Sequence, residues 1–173
     1  MTQGEAPVLV GFGASLRWLG RSPGETILSA ADALARFGPL ALSPLYDSPA
    51  WPDPSAPPYV NAVGRWDTAL SPEAALAALL GTEAAFGRRR SVPNAPRTLD
   101  LDLLAHGRTV CATDTLTLPH PRLAERDFVL RPLLDVAPSW QHPQTGAGAA
   151  KMLARLGPSA ATRRPPCNAG GGP

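Results

Sequence analysis

Apolar positions along the chain change period several times, and each change marks an element. Pro7 to Phe12 (PVLVGF) is a continuous apolar run, the pattern of a buried strand. Ser22-Pro23-Gly24-Glu25 opens a helix, with Ser22 as N-cap, Pro23 at the first position and Glu25 at the third. Ile27, Leu28, Ala31, Leu34 and Ala35 then share one face, and Gly38 is the expected stop. Leu40 to Asp47 reads as a second strand. Tyr59 to Leu70 reads as a third, with Tyr59, Asn61 and Val63 on one face and Val60 and Ala62 on the other. Ser71-Pro72-Glu73 opens a second helix by the same device; it carries Leu76, Leu79, Leu80 and Glu83 and ends near Gly87. From Thr98 to Leu104 apolar and polar residues alternate again. Leu99, Leu101 and Leu103 face the core, and Thr98, Asp100 and Asp102 face the other way.

The order β-α-β-β-α-β is the ferredoxin-like, split-βαβ arrangement, an α+β fold with an antiparallel sheet. Two further helices follow and cover the other face of the sheet. One is Asp127 to Asp135, with Asp127 as cap and Pro132 expected to kink or shorten it; the other is Ala147 to Leu156. Between the elements, Ser48 to Pro58 holds five prolines and is a stiff loop. Gly11-Phe12-Gly13-Ala14-Ser15-Leu16 lacks the third glycine of a dinucleotide loop and reads as a turn after the first strand. A turn at His106-Gly107-Arg108 leads to a short strand, Thr109 to Ala112, and Leu116 to Pro121 is extended. The Pro- and Gly-rich end is expected to be a disordered tail. The expected organisation is one domain over 1–157 and a tail over 158–173.

Charge narrows the partners. A net +2 over 173 residues argues against coating nucleic acid. Lys151 is the only lysine, which excludes a P-loop, while the many arginines suit bidentate phosphate binding. Cys111 and Cys167 are too far apart in sequence to suggest a disulfide framework or zinc site. No basic-then-apolar leader opens the chain and no apolar run reaches the length of a membrane span. The expectation is a cytoplasmic monomer with no nucleic-acid or membrane partner.

The chemistry concentrates on Asp100 and Asp102. At a rise of about 3.3 Å per residue their carboxylates sit roughly 6.6 Å apart on one strand face. Asp is a poor strand former, and two like charges side by side favour a cation between them. Carboxylate oxygens suit Mg²⁺, which completes its shell with water and substrate phosphates. By itself the D-x-D spacing reads more readily as a solvated strand face. The surroundings shift that balance, because Arg88, Arg89, Arg90 and Arg97 precede it and His120 and Arg126 follow.

APRTLDLDLL, followed by LTLPHPRLAERDFVLRPLLDVAP, resembles the signature region of the 6-hydroxymethyl-7,8-dihydropterin pyrophosphokinases of folate synthesis. The resemblance implies transfer of the pyrophosphoryl group of ATP to the pterin hydroxymethyl oxygen, with release of AMP. It implies two Mg²⁺ ions on Asp100 and Asp102. It places Glu83, Arg88, Arg90, Arg97, Leu103, Thr117, His120 and Arg126 around ATP, with Arg88 and Arg97 counted as catalytic alongside the two aspartates. Tyr59 and Phe128 match the aromatic pair that sandwiches the pterin, and Asn61 matches the amide that reads its edge. Ser48 and Pro49 open the loop lining the pterin pocket, with Trp51 behind. Arg88 to Pro96 corresponds to a lid.

This chain departs from the family pattern in places. Ala14-Ser15 stands where Ser-Asn is usual, Pro93-Asn94 where Arg-Trp is common, Thr115 where an arginine is frequent, and Ala50 where the pterin loop has a second proline. Two other readings remain at this point. One is a different Mg²⁺-dependent nucleotide transferase. The other is an RNA-recognition module, which would need exposed aromatics on the central strands where this chain has two aspartates.

Overall fold

The structure is a computed structural model that describes residues 7–50, 53–88 and 96–165. Its sheet is antiparallel throughout. Strand β1 (Val8–Ala14) lies between β5 (Asp100–His106) and β4 (Tyr59–Trp66), and the far edge of β4 carries β2 (Leu40–Leu42) and β3 (Tyr46–Ser48) end to end. With α1 (Pro23–Leu34) after β1 and α2 (Pro72–Ala85) after β4, the connectivity is the ferredoxin-like one.

Local chemistry sets the boundaries. The Ser22 hydroxyl accepts the Glu25 N–H (3.3 Å), while the Glu25 carboxylate accepts the Ser22 N–H (2.7 Å), a complete capping box. Ser71 caps α2 through the Ala74 N–H (3.2 Å). The expected strand Leu40 to Asp47 is two strands, because Pro44 lacks the N–H that a continuous ladder needs. The third strand stops at Trp66: the Asp67 N–H still donates to the Pro39 carbonyl (2.8 Å), but Pro39 has no N–H to continue the ladder. The first strand, in contrast, runs on to Ala14, so Gly11 and Gly13 are strand residues rather than a turn. Past the His106 turn the short strand is only β6 (Cys111–Ala112), paired with β7 (Thr117–Leu118) in a separate ribbon.

Alternation divides the two faces. Val8, Val10, Phe12, Val60, Ala62, Trp66, Leu99, Leu101 and Leu103 pack beneath α1 and α2, against Ile27, Leu34, Ala75 and Leu79. On the other face Leu9, Val63 and Leu104 meet Leu130 and Leu133 of α3 (Asp127–Val136) and Met152 of α4 (Ala149–Leu156). These helices cover only one end of that face. At the other end the sheet is bare, and the functional residues lie there.

Two expectations about the C-terminal region are corrected. Asp127 is the first residue of α3, not its cap, and the helix runs through Pro132 to Val136. Residues 158–165 are ordered rather than part of a loose tail. Strand β8 (Thr162–Arg163) pairs with β3, Ala161 is buried, and the Arg164 N–H donates to the Leu45 carbonyl (2.8 Å). Composition hides this order, because the segment is held by side chains distant in sequence. The Asp127 carboxylate accepts the Ser159 hydroxyl (2.6 Å) and the Ala160 and Ala161 N–H groups (2.8 and 3.1 Å).

Burial alone would raise the Asp127 pKa, but the hydrogen bonds from Ser159, Ala161, Ala160 and Phe128 outweigh it and hold the carboxyl below its usual value. A depressed folded pKa adds stability above the unfolded value, about 3.9, and loses it as the pH falls through the folded value. Asp127→Asn should therefore flatten the acid limb of stability below about pH 4. Urea unfolding across that range measures it; an unaltered limb would assign acid sensitivity to other groups.

Candidate active site

The bare end of the sheet is the floor of a cleft of about 500 Å³. Register explains its shape. Gly13 pairs with Asn61 on one side and Asp100 on the other, and Gly11 pairs with Val63 and Asp102. The central strand thus has no side chains between the amide and the two carboxylates. A Cβ on Gly13 would lie 3.6 Å from Asn61 Oδ1, 3.7 Å from Tyr59 Cδ1 and 3.8 Å from Asp100 Cβ. A glycine inside a strand commonly marks a site where a ligand approaches the backbone. That is the signal the sequence carried and the turn reading passed over.

Asp100 and Asp102 both face the cleft, as alternation predicts. Asp100 Oδ1 lies 2.8 Å from Arg88 Nη1 and 2.9 Å from Arg97 Nη1. Asp102 Oδ2 lies 3.1 Å from Arg126 Nη1 and 3.9 Å from His120 Nε2. Burial raises the Asp100 pKa and the Asp102 charge raises it further, against the pull of Arg97 and Arg88.

Arg97, Arg88 and His120 are each anchored through the main chain. Arg97 is clamped to the end of β1: its carbonyl accepts the Ser15 and Leu16 N–H groups (3.0 and 3.1 Å), and its N–H donates to the Ser15 hydroxyl (3.1 Å). Arg88 follows α2, donates its N–H to the Glu83 carbonyl (3.1 Å) and pairs with the Glu83 carboxylate. Glu83 is buried and its carboxylate also accepts the Leu101 N–H (2.6 Å). Burial raises its pKa against the Leu101 hydrogen bond and the Arg88 charge. The His120 N–H donates to the Leu104 carbonyl (2.8 Å), and His120 Nδ1 accepts the Arg122 N–H (3.1 Å). That bond turns Nε2 toward Asp102 as the protonated nitrogen, and burial lowers the imidazole pKa so that the ring is neutral at pH 7.

On the opposite wall stand the residues that the resemblance assigns to the pterin. Tyr59, Phe128, Asn61, Ser48 and Pro49 all line the same cleft as Asp100 and Asp102. Asn61 Nδ2 donates to the Ser48 hydroxyl (2.7 Å), which fixes the amide with Oδ1 over Gly13. The Arg126 guanidinium lies 5.8 Å from the Phe128 ring centre.

Not every assigned residue is there. The Leu103 side chain is buried in the core beneath α1 and α2, on the face opposite Asp102, which does not support a side-chain contact with ATP. Glu83 lies behind the arginines, against the β5 backbone. Thr117 is exposed on the β6–β7 ribbon. Arg90, Trp51 and most of the expected lid lie outside the described residues. Arg122, Glu125, Pro54 and Ala160 line the cleft without having been singled out.

Among the described residues no three or more His, Cys, Asp or Glu side chains gather as a self-sufficient metal site. The donor set suits a hard cation shared with a substrate. The arginine hydrogen bonds described fall on Asp100 Oδ1 and Asp102 Oδ2, which leaves the second oxygen of each carboxylate as a donor.

Comparison with known proteins places this arrangement. A family model described as 7,8-dihydro-6-hydroxymethylpterin-pyrophosphokinase matches residues 9–138. A 2-amino-4-hydroxy-6-hydroxymethyldihydropteridine pyrophosphokinase of Pseudomonas aeruginosa is 39% identical over 79% of this chain and 83% of its own length. The Synechocystis protein of that name is 39% identical over 60% of this chain and 53% of its own. The folic acid synthesis protein fol1 of Pneumocystis carinii is 35% identical over 80% of this chain but only 19% of its own. This chain thus spans about half or less of the last two relatives. A crystal structure of Plasmodium falciparum HPPK-DHPS with SDX-DHP superposes with a TM-score of 0.63 at 13% identity, over 86% of this chain and 43% of that one. At that identity the likeness concerns the fold.

Proposed function

The chain belongs to the 7,8-dihydro-6-hydroxymethylpterin-pyrophosphokinase family, and from that premise we propose that it transfers the pyrophosphoryl group of ATP to the hydroxymethyl oxygen of 6-hydroxymethyl-7,8-dihydropterin. The products are the pterin diphosphate and AMP. The observation that carries this reading is one cleft with an aromatic and amide wall on one side, and a pair of carboxylates ringed by arginines on the other.

Displacement at phosphorus asks a protein for position and charge neutralisation more than for covalent help. Arg88, Arg97 and Arg126 supply fixed positive charge to the phosphates and to the departing AMP. Asp100 and Asp102 would hold Mg²⁺, two ions by family resemblance, and Mg²⁺ bound there would neutralise phosphate charge and acidify the attacking hydroxyl. Tyr59 and Phe128 take the two flat faces of the pterin. Asn61 Oδ1 accepts from the amino-pyrimidinone edge, and the Ser48 bond keeps it from rotating. The bare glycines let the ring lie close to the sheet, with its hydroxymethyl group toward the carboxylates. We further propose that the protein acts as a monomer in the cytoplasm. No helix among the described residues is long and apolar enough to cross a membrane.

Incubation with ATP, Mg²⁺ and the pterin should release AMP, and omission of the pterin should abolish that release. Pterin-independent AMP release, or none at all, overturns the reading. Tyr59→Ala should raise the pterin KM by about tenfold to a hundredfold, from lost stacking and buried area, with kcat for saturating pterin little changed. An unchanged pterin KM would remove Tyr59 from the sandwich.

A further inference from the structure

Residues 159–164 form a strap across the pterin wall of the cleft, and we infer that this strap is a positioning element that sets the geometry of the pterin subsite. The inference rests on the pterin reading above. One end of the strap is fastened to α3 at the residue before Phe128. Asp127 Oδ2 accepts the Ser159 hydroxyl (2.6 Å), the Ala160 N–H (2.8 Å) and the Ala161 N–H (3.1 Å). Asp127 Oδ1 meanwhile accepts the Phe128 N–H (2.8 Å), so one carboxylate ties the strap to the backbone of the aromatic.

The other end is fastened beside Ser48 and Pro49. Arg164 Nε lies 2.8 Å from both oxygens of Asp47, and its Nη2 lies 2.7 Å from Oδ1. Main-chain pairing of Tyr46 with Arg163 and of Asp47 with Thr162 adds a second fastening. Between the two ends Ala160 lines the cleft and Ala161 is buried. A third tie, from the Tyr46 hydroxyl to Asp135 Oδ2 (2.8 Å), joins the same strand to α3 directly.

The consequence is specific. Tyr59 is fixed by the sheet, and α3 rests on β4 and β3. The strap adds to that packing a polar tie that joins the backbone of Phe128 to Asp47, the residue before Ser48, and so restrains the aromatic gap. The groups that anchor Arg88 and Arg97, namely Glu83 and Ser15, are elsewhere and do not touch it. Arg126 precedes Asp127, but its guanidinium is held separately by Asp102, so loosening the strap should widen the pterin subsite more than it disturbs the nucleotide side. Asp127 itself has its oxygens taken up by four donors, so it acts through Phe128 rather than on substrate.

Ser159→Ala and Arg164→Ala in the full chain test this. The pterin KM should rise about fivefold and about tenfold respectively, while the ATP KM and kcat stay within about twofold. Equilibrium titration with 6-hydroxymethyl-7,8-dihydropterin should show the same loss. Ser159→Thr, which keeps the hydroxyl, should restore most of the affinity. Two results overturn the inference: an unchanged pterin KM in both variants, or equal rises in both substrates' KM. If Arg164→Ala does not fold, Ser159→Ala decides, because it removes only one hydroxyl, with its bonds to Asp127 and from the Ala161 N–H. An unaltered chain that releases no AMP with pterin would sink the proposed function itself; an active one whose strap variants are unaffected sinks only the strap.

Discussion

Replacing Asp100 or Asp102 by Asn is expected to lower turnover by roughly a thousandfold or more, and the Asp100→Asn protein is expected to melt no lower than the unaltered chain. Loss of metal-based charge stabilisation is worth several kcal/mol, and about 4 kcal/mol is a factor near 10³. The stability half of the prediction follows from the Asp100 environment. Its pKa is raised by burial and by Asp102. For an acid, a raised folded pKa means that stability is complete below the unfolded value and is lost as the pH rises through the folded one. At neutral pH the ionised Asp100 therefore costs the ligand-free protein stability, and a neutral Asn of the same shape removes that cost. Turnover near the unaltered rate in both variants would take the pair out of the mechanism. A large fall in melting temperature would mean that the carboxylates serve the fold instead.

Such a site is where local preference and global demand part company, and here that was legible. Asp is unfavourable in a strand, and the alternation Leu99-Asp100-Leu101-Asp102-Leu103 left no doubt which side chains faced out. The helix starts were equally plain, since Ser-Pro-x-Glu and Ser-Pro-Glu specify their caps within four residues. What the sequence hid depends on partners far away. Nothing near Ser159 announces that Asp127 will bind it, and a segment rich in Pro and Gly resembles a tail until that partner is placed. Leu103 shows the converse. Sharing a motif with Asp100 and Asp102 does not bring its side chain to the cleft, because a strand turns every second residue away. Glu83 sits on a helix whose apolar residues give little facial contrast, so its burial against the Leu101 N–H could not be read from spacing.

Gly13→Val is expected to cut kcat/KM for the pterin by about a hundredfold and to leave the melting temperature unchanged or higher. The strand accepts the change. The added Cβ would sit 3.6 to 3.8 Å from Asn61, Tyr59 and Asp100, ordinary van der Waals distances. Val suits a strand better than Gly, which weakens one by about 0.5–1 kcal/mol. The cleft does not accept it. The γ-methyls stand about 1.5 Å beyond Cβ, while the pterin edge that points at the sheet between Tyr59 and Phe128 needs about 3.5–4 Å from the atoms beneath it. A valine there fills the layer the pterin would occupy. Gly64 supplies the contrast, because it is also a strand glycine but faces the core: a Cβ there would meet Phe12 at 3.0 Å and Leu40 at 3.2 Å. Gly64→Val should therefore lose stability, where Gly13→Val should lose only binding. Full pterin turnover by Gly13→Val would show that the substrate does not lie on this floor.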